Sequence, residues 1–187
     1  MNISSLFKMP VSPKATWPEL ARIDSPVART FWFLVVPLSL LPPAMIYLAG
    51  SQYGDAFFEG YGGKPWAPIA STFFFLELAS VTWMGWLIRR VAQAWNEHIS
   101  NRNAYVVATI AAIPLWISSL GLLVASLAFN VALSALALFP SCGLVFQGVR
   151  SFCQITDENI GQAIAITRLA FGGGLGAWGI LMLLLIV

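Results

Sequence analysis

AYVVATIAAIPLWISSLGLLVASLAFNVALSALALFPSCGLVFQGV, residues 104–149, runs without a charged side chain. As a single helix, roughly 45 residues at 1.5 Å each would reach far beyond the ~30 Å of hydrocarbon that about 20 helical residues cross. The stretch therefore divides into two crossings, about Ala104–Val124 and about Phe129–Val149, leaving only Ala125–Asn130 for the turn. No polar linker separates them, so they are expected to form a tight antiparallel hairpin. Working outward, three further apolar runs have similar length. They are Thr30 to about Gly50, about Ile69 to Ile88 (introduced by Pro65, Trp66 and Pro68), and about Ile160 to Ile186. The sequence thus predicts an all-α integral membrane protein, a single domain over 1–187 built as a five-helix transmembrane bundle.

Composition supports this reading. Apolar residues make up 58% of the 187 and charged residues only 10%, with a mean hydropathy of +0.78. Soluble domains carry about a quarter charged residues. A water-facing surface cannot be assembled from so few, so the solvent is lipid. The net charge of +2, with no clustered basic patch, argues against a nucleic-acid partner. One histidine, His98, and two cysteines without a CxxC pair give a metal ion too few ligands. On one continuous helix Cys142 and Cys153 would stand roughly 16 Å apart, well beyond the ~7 Å that a disulfide spans. Both read as free thiols, and no cofactor is expected.

The first apolar run starts too late for a signal peptide and contains Pro37, Pro42 and Pro43, so it is expected to be retained as an anchor. Before it, residues 1–29 read as a lead-in. There Trp17, Leu20, Ile23 and Val27, among Lys14, Arg22 and Arg29, have the spacing of a short interfacial helix. The loop Ser51–Pro65 is rich in glycine and aromatic residues, and its rings are expected to lie back on the interface. The second run continues as RRVAQAWNEH, residues 89–98, a helical extension into the headgroup layer. Orientation follows from the basic residues. Lys8, Lys14, Arg22, Arg29, Arg89, Arg90, Arg102 and Arg150 fall on one side, and Lys64 alone on the other. That asymmetry places the N-terminus in the cytoplasm and the C-terminus outside.

Polar residues within the spans are few: Glu77, Thr109, Ser118, Ser134, Gln147 and Arg168. Glu77 is the only acid and Arg168 the only base. An ionisable group at midplane costs several kcal/mol unless it is paired, neutral or wetted. Their depths, about 16 Å and about 12 Å from the same end by helical rise, make a buried Glu77–Arg168 contact between neighbouring helices the expectation. The alternative is a protonated Glu77 bonded to a carbonyl while Arg168 snorkels. Glu77, Arg168, Thr109, Ser118 and Gln147 form the candidate intramembrane polar site. Pro42, Pro43, Pro114 and Pro140 should kink their helices, each freeing the carbonyl four residues earlier. For Pro114 that is the carbonyl of Ile110, with Thr109 and Ser118 as candidate donors. In the last run Gly172, Gly176 and Gly179 form a small-residue face suited to close helix packing. Packing within the bundle is favoured there, with homodimerisation also open.

The order of several motifs resembles the YIP domain family, the Ypt/Rab-interacting membrane proteins. Pro13-Lys-Ala-Thr-Trp17 resembles that family's cytoplasmic lead-in, and Val36-Pro-Leu-Ser-Leu-Leu-Pro-Pro43 the proline-rich first span of bacterial members. Ile113-Pro-Leu115 with Leu120, then Phe146-Gln-Gly148, Thr156-Asp-Glu158 and Ala163, resemble the later spans. Arg150 stands where the family pattern has a proline. The long polar tail of eukaryotic members is absent. The resemblance implies five helices, a cytoplasmic N-terminus, no catalysis and a bacterial-type inner-membrane protein.

Three functions compete on the sequence. The first is a non-catalytic protein that organises the bilayer or scaffolds a partner, its partners being lipid and a protein or a second copy. The second is a small transporter or channel with a midplane polar site around Glu77. The third, an intramembrane enzyme, lacks its usual signs: His98 lies outside the spans, and no aspartate lies within them.

Overall fold

The computed structural model describes residues 27–95 and 97–186, with side chains through Gly179, and every regular element among them is helical. The interfacial helix expected in the lead-in lies outside the described residues, apart from positions 27–29. The first helical segment, Val27–Phe57, is broken rather than continuous. It comprises α1 (Val27–Thr30), a π-helical turn over Phe31–Val35, α2 (Val36–Ser39) and α3 (Leu41–Phe57). Then follow α4 (Trp66–Ala94), α5 (Asn101–Ser118), α6 (Leu127–Phe152) and α7 (Ile160–Ile186). A 3₁₀ turn, Ser119–Leu123, extends α5, and a second, Asp157–Asn159, leads into α7. Among the described residues four segments are long and apolar enough to cross a membrane: Val27–Phe57, Trp66–Ala94, Asn101–Leu123 and Leu127–Phe152.

The prolines explain the broken first segment. Pro42 and Pro43 do not kink the middle of a helix. They occupy the first turn of α3, where a missing N–H costs nothing. The carbonyl of Leu38 that Pro42 would leave bare accepts from the N–H of Leu40. Upstream of Pro37 the N–H of Val36 reaches back five residues to Phe31, which makes the π turn. Pro114 and Pro140 do sit inside α5 and α6.

Helix α5 lies at the centre. Val107 through Ala111 are all buried, so it has no solvent or lipid face there. It packs between α4 and α6, and the first segment also touches it. Helix α7 lies against both α4 and α6. Outward-facing positions are large and apolar, among them Phe33 (79% exposed), Phe75, Val131, Leu136 and Phe139. A soluble protein does not expose so continuous an apolar surface. Lipid is its solvent.

The loops sort into two ends. At one, Ile99 and Ile155, from the α4–α5 and α6–α7 connections, both insert into the core. At the other, the hydroxyl of Tyr53 near the end of α3 donates to the carbonyl of Leu122 beyond α5. Helices α4 and α5 run antiparallel between these ends: Gly85 meets Tyr105, while Glu77 meets Trp116. The basic Arg89, Arg90, Arg102 and Arg150 share the first end.

Helical bounds exceed the sequence expectation in two places. The Ser51–Pro65 loop is half helical, because α3 reaches Phe57 across a kink at Tyr53 (φ −146°, ψ 32°), with Ser51 Oγ bonded back to the carbonyl of Tyr47. The α5–α6 connection is shorter and earlier than Ala125–Asn130, since α6 starts at Leu127 with Ser126 as its cap. Asn130 is therefore helical, and its Nδ2 donates to the carbonyls of Val124 (2.9 Å) and Ser126 (2.8 Å). Gly121 lies close above it: a Cβ there would stand 2.5 Å from Leu133 and 2.9 Å from Asn130 Oδ1. At the opposite end α6 closes on a left-handed residue, Gln154 (φ 55°), and the N–H of Ile155 bonds the carbonyl of Arg150. Arg150 also pairs with Asp157.

Asn130 alone supplies two donors to the α5–α6 turn. Replacing it with Ala should destabilise the protein by about 1–3 kcal/mol in a denaturant titration in micelles, because the Val124 carbonyl loses this partner and the Ser126 carbonyl keeps only the backbone N–H of residue 130. A loss below about 0.5 kcal/mol, the range of an ordinary surface substitution, would show that the turn is held by other contacts.

Candidate functional site

Helix α4 buries one stripe, Ala70, Glu77, Val81, Gly85, Ile88 and Ala92. That spacing of three, four and seven is the inner face of a helix. Glu77 stands among apolar neighbours because its position in the register, not its chemistry, points it inward. Gly85 lets α4 close on α5, since a Cβ there would sit 3.1 Å from Tyr105 Cα. About 12 Å further along α4 by helical rise, Trp116 of α5 donates its indole N–H to Glu77 Oε1 at 2.9 Å. Trp116 is 1% exposed and Glu77 9%. Glu77 Oε2 is buried and has no hydrogen-bond partner among the described residues.

The expected Glu77–Arg168 pair is not made. The helices are neighbours, as expected, but Arg168 is exposed. Helix α7 turns Ala163, Ile166, Thr167 and Ala170 inward, which leaves Arg168 on the outer stripe with Ile164. Trp116 takes the place that Arg168 was expected to fill. It went unnoticed in the sequence because a carboxyl invites a search for a base, whereas indole is an apolar body with one donor. The signal was present: Trp116 follows Pro114 by two residues, in a run with few other side-chain donors.

The hydroxyls do not converge either. Thr109 Oγ1 donates to the carbonyl of Tyr105 (2.9 Å) and Ser118 Oγ to that of Leu115 (2.8 Å). Each closes on its own helix, so neither serves the carbonyl of Ile110 left by Pro114. Ser80 and Ser141 do the same. Gln147 is half-buried on α6, and neither its Oε1 nor Thr167 Oγ1 has a hydrogen-bond partner among the described residues.

The glycine face is likewise displaced by one register. Gly173 and Gly174 meet Leu87 and Met84 of α4, at 3.1 and 2.8 Å from a notional Cβ. Gly172, Gly176 and Gly179 face open space among the described residues, so the α7–α4 packing is made beside them. Cys142 and Cys153 are free. Burial, together with the nearby Glu97 carboxylate, pushes the Cys153 thiol up to about 11, so it stays protonated at neutral pH.

These features define a polytopic transmembrane protein of helical type, with one buried carboxyl held between two helices and no converging catalytic groups among the described residues. The chain belongs to the Yip1 domain family, whose model matches residues 7–184. Comparison with curated proteins finds no match, and comparison with solved structures finds none.

If the indole satisfies Glu77, Trp116→Phe should cost about 1–3 kcal/mol of stability, the loss incurred when a buried partner is left unpaired. Adding Glu77→Met to Trp116→Phe should recover part of that loss. Strictly additive losses across this double-mutant cycle would mean that the hydrogen bond carries no coupling.

Proposed function

We propose that the chain is a non-catalytic five-span membrane protein that organises the bilayer or scaffolds a partner within it. Membership of the Yip1 domain family supports a non-catalytic role in the membrane. The observation that carries the reading is where the polar groups go. The hydroxyls of Ser80, Thr109, Ser118 and Ser141 close on their own helices, the buried face is mainly apolar, and the outer face presents aromatic rings beside arginines. Such a body interacts through its surface rather than through an interior route. The fifth crossing is α7, whose 27 residues reach about 40 Å at 1.5 Å each.

In this reading the N-terminus is cytoplasmic, the C-terminus lies outside, and the setting is a bacterial-type inner membrane. The ends of α4 and α6 and the start of α5 carry four arginines to one side, which supports that orientation. A second reading, a small transporter, draws on one observation: the unpartnered Oε2 of Glu77 deep inside α4. The partners are lipid and a protein or a second copy of the chain.

Reconstitution into liposomes separates the two. Bilayer organisation is expected to change vesicle size or shape, or to retain copurifying partners, without solute or proton flux. Flux that disappears in Glu77→Gln would overturn it in favour of transport. Orientation is tested separately: alkaline phosphatase fused after residue 187 should be active, and a silent fusion would reverse the topology.

A further inference from the structure

Opposite the buried stripe of α4 lies an exposed one, Phe75, Thr82, Trp83, Trp86 and Arg90. Trp83 and Trp86 are 48% and 47% exposed, yet they are not splayed apart. Their ring centroids are 5.0 Å apart with planes at 33°. One turn further on, the Arg90 guanidinium lies over the Trp86 ring, its carbon 5.5 Å from the centroid. Two large rings and a cation are thus stacked along the outside of a transmembrane helix. None of the three contributes to the core.

Depth identifies what meets them. Arg90 lies four residues before the end of α4, about 6 Å by helical rise, and Trp83 about 10 Å deeper. The 29 residues of α4 span about 43 Å at 1.5 Å each, longer than the ~30 Å hydrocarbon layer, so Arg90 stands at headgroup level. Trp86, about 6 Å below Arg90 by helical rise, lies near the boundary where indole is enriched, and Trp83 lies deeper among the acyl chains. A cation–π contact at this distance uses none of the guanidinium's N–H donors in a hydrogen bond to the ring, and those donors match phosphate oxygens in a two-pronged hydrogen bond. No carboxylate among the described residues pairs with Arg90, and half-buried Arg89 adds a second positive charge beside it. A phosphate held there would lay its acyl chains along Trp86 and Trp83.

We propose that the Trp83–Trp86–Arg90 face of α4 is a binding site for the headgroup of an anionic phospholipid. This goes beyond the organising role above and requires only that α4 cross the membrane. Arg90 supplies the charge-assisted contact, Trp86 orients the guanidinium, and Trp83 packs the upper acyl chain.

The test is native mass spectrometry of the full chain in detergent, with phosphatidylglycerol or phosphatidylcholine added at equal concentration. The wild type should retain phosphatidylglycerol in preference, by about fivefold, the weight of one basic residue at an anionic surface. That preference should shrink as the ammonium acetate concentration rises, a measurement that needs no variant. Arg90→Gln should abolish it and Trp86→Ala reduce it. Lys64→Gln, which removes the cation stacked on Tyr61 at the other end of the bundle, should leave it unchanged. Equal retention of the two lipids by the wild type would overturn the proposal. So would a preference that survives Arg90→Gln, or an equal loss in Lys64→Gln, which would make it diffuse charge. A preference indifferent to salt would mean that charge does not set it, and would also overturn the proposal.

Discussion

Everything in this bundle depends on α5 being enclosed. A helix buried on all sides can carry small and β-branched residues over Val107–Ala111, but every polar group it holds must be satisfied locally, because neither water nor lipid supplies a partner. The side chains answer in kind. Thr109 and Ser118 return their protons to their own helix. Trp116, the largest fully buried side chain, sends its single donor across to α4. The approach of α4 at Gly85 sets how near the two helices come. A side chain on that glycine would push α4 outward and take Glu77 with it.

That enclosure gives Glu77 its meaning. Had the carboxyl sat on the outer stripe with Phe75 or Trp86, it could have reached the headgroups. On the inner stripe it depends on one indole, and its second oxygen has none. A buried polar group half-satisfied is costly, and what such a group confers is specificity of arrangement more than stability. The Glu77–Trp116 bond can form in only one register of α4 against α5. Apolar packing alone would tolerate slippage by a turn. The bond therefore does for this helix pair what a buried asparagine does for a coiled coil.

How much was legible beforehand follows from the same physics. Hydropathy and length locate helices well because a lipid core demands an unbroken run. The last helix, α7, runs over Ile160–Ile186. Helix ends were less legible, since they depend on local hydrogen bonds: Ser126 starts α6 earlier than its hydropathy does, and Ser51 helps to carry α3 into the expected loop. Facing was the least legible. Gly172 and Gly176 carry the motif for close packing, but Gly173 and Gly174 make the contact. A rotation of one residue, 100°, separates the two, and nothing in a run of small and apolar residues encodes it. Arg168 went astray by the same margin: Thr167 beside it is buried. Depth along a helix can be read from residue numbers, whereas rotation about it is decided by neighbours.

Rotation also separates the two kinds of tryptophan in this chain. Trp116 and Trp86 are chemically identical, and both lie in apolar runs, yet one is 1% exposed and the other 47%. The buried ring has its N–H committed to the Glu77 carboxyl, which fixes it as a strut between helices. The outer ring offers its face to a guanidinium, a contact that leaves both partners accessible. Inside the bundle, where no water competes, a hydrogen bond between side chains sets register. At its surface, in the headgroup layer, a cation over a ring does not compete with water for a fixed geometry, so it can receive a ligand. The polar chemistry of α4 is thus divided by face: the inner one specifies how the protein is built, and the outer one what it meets.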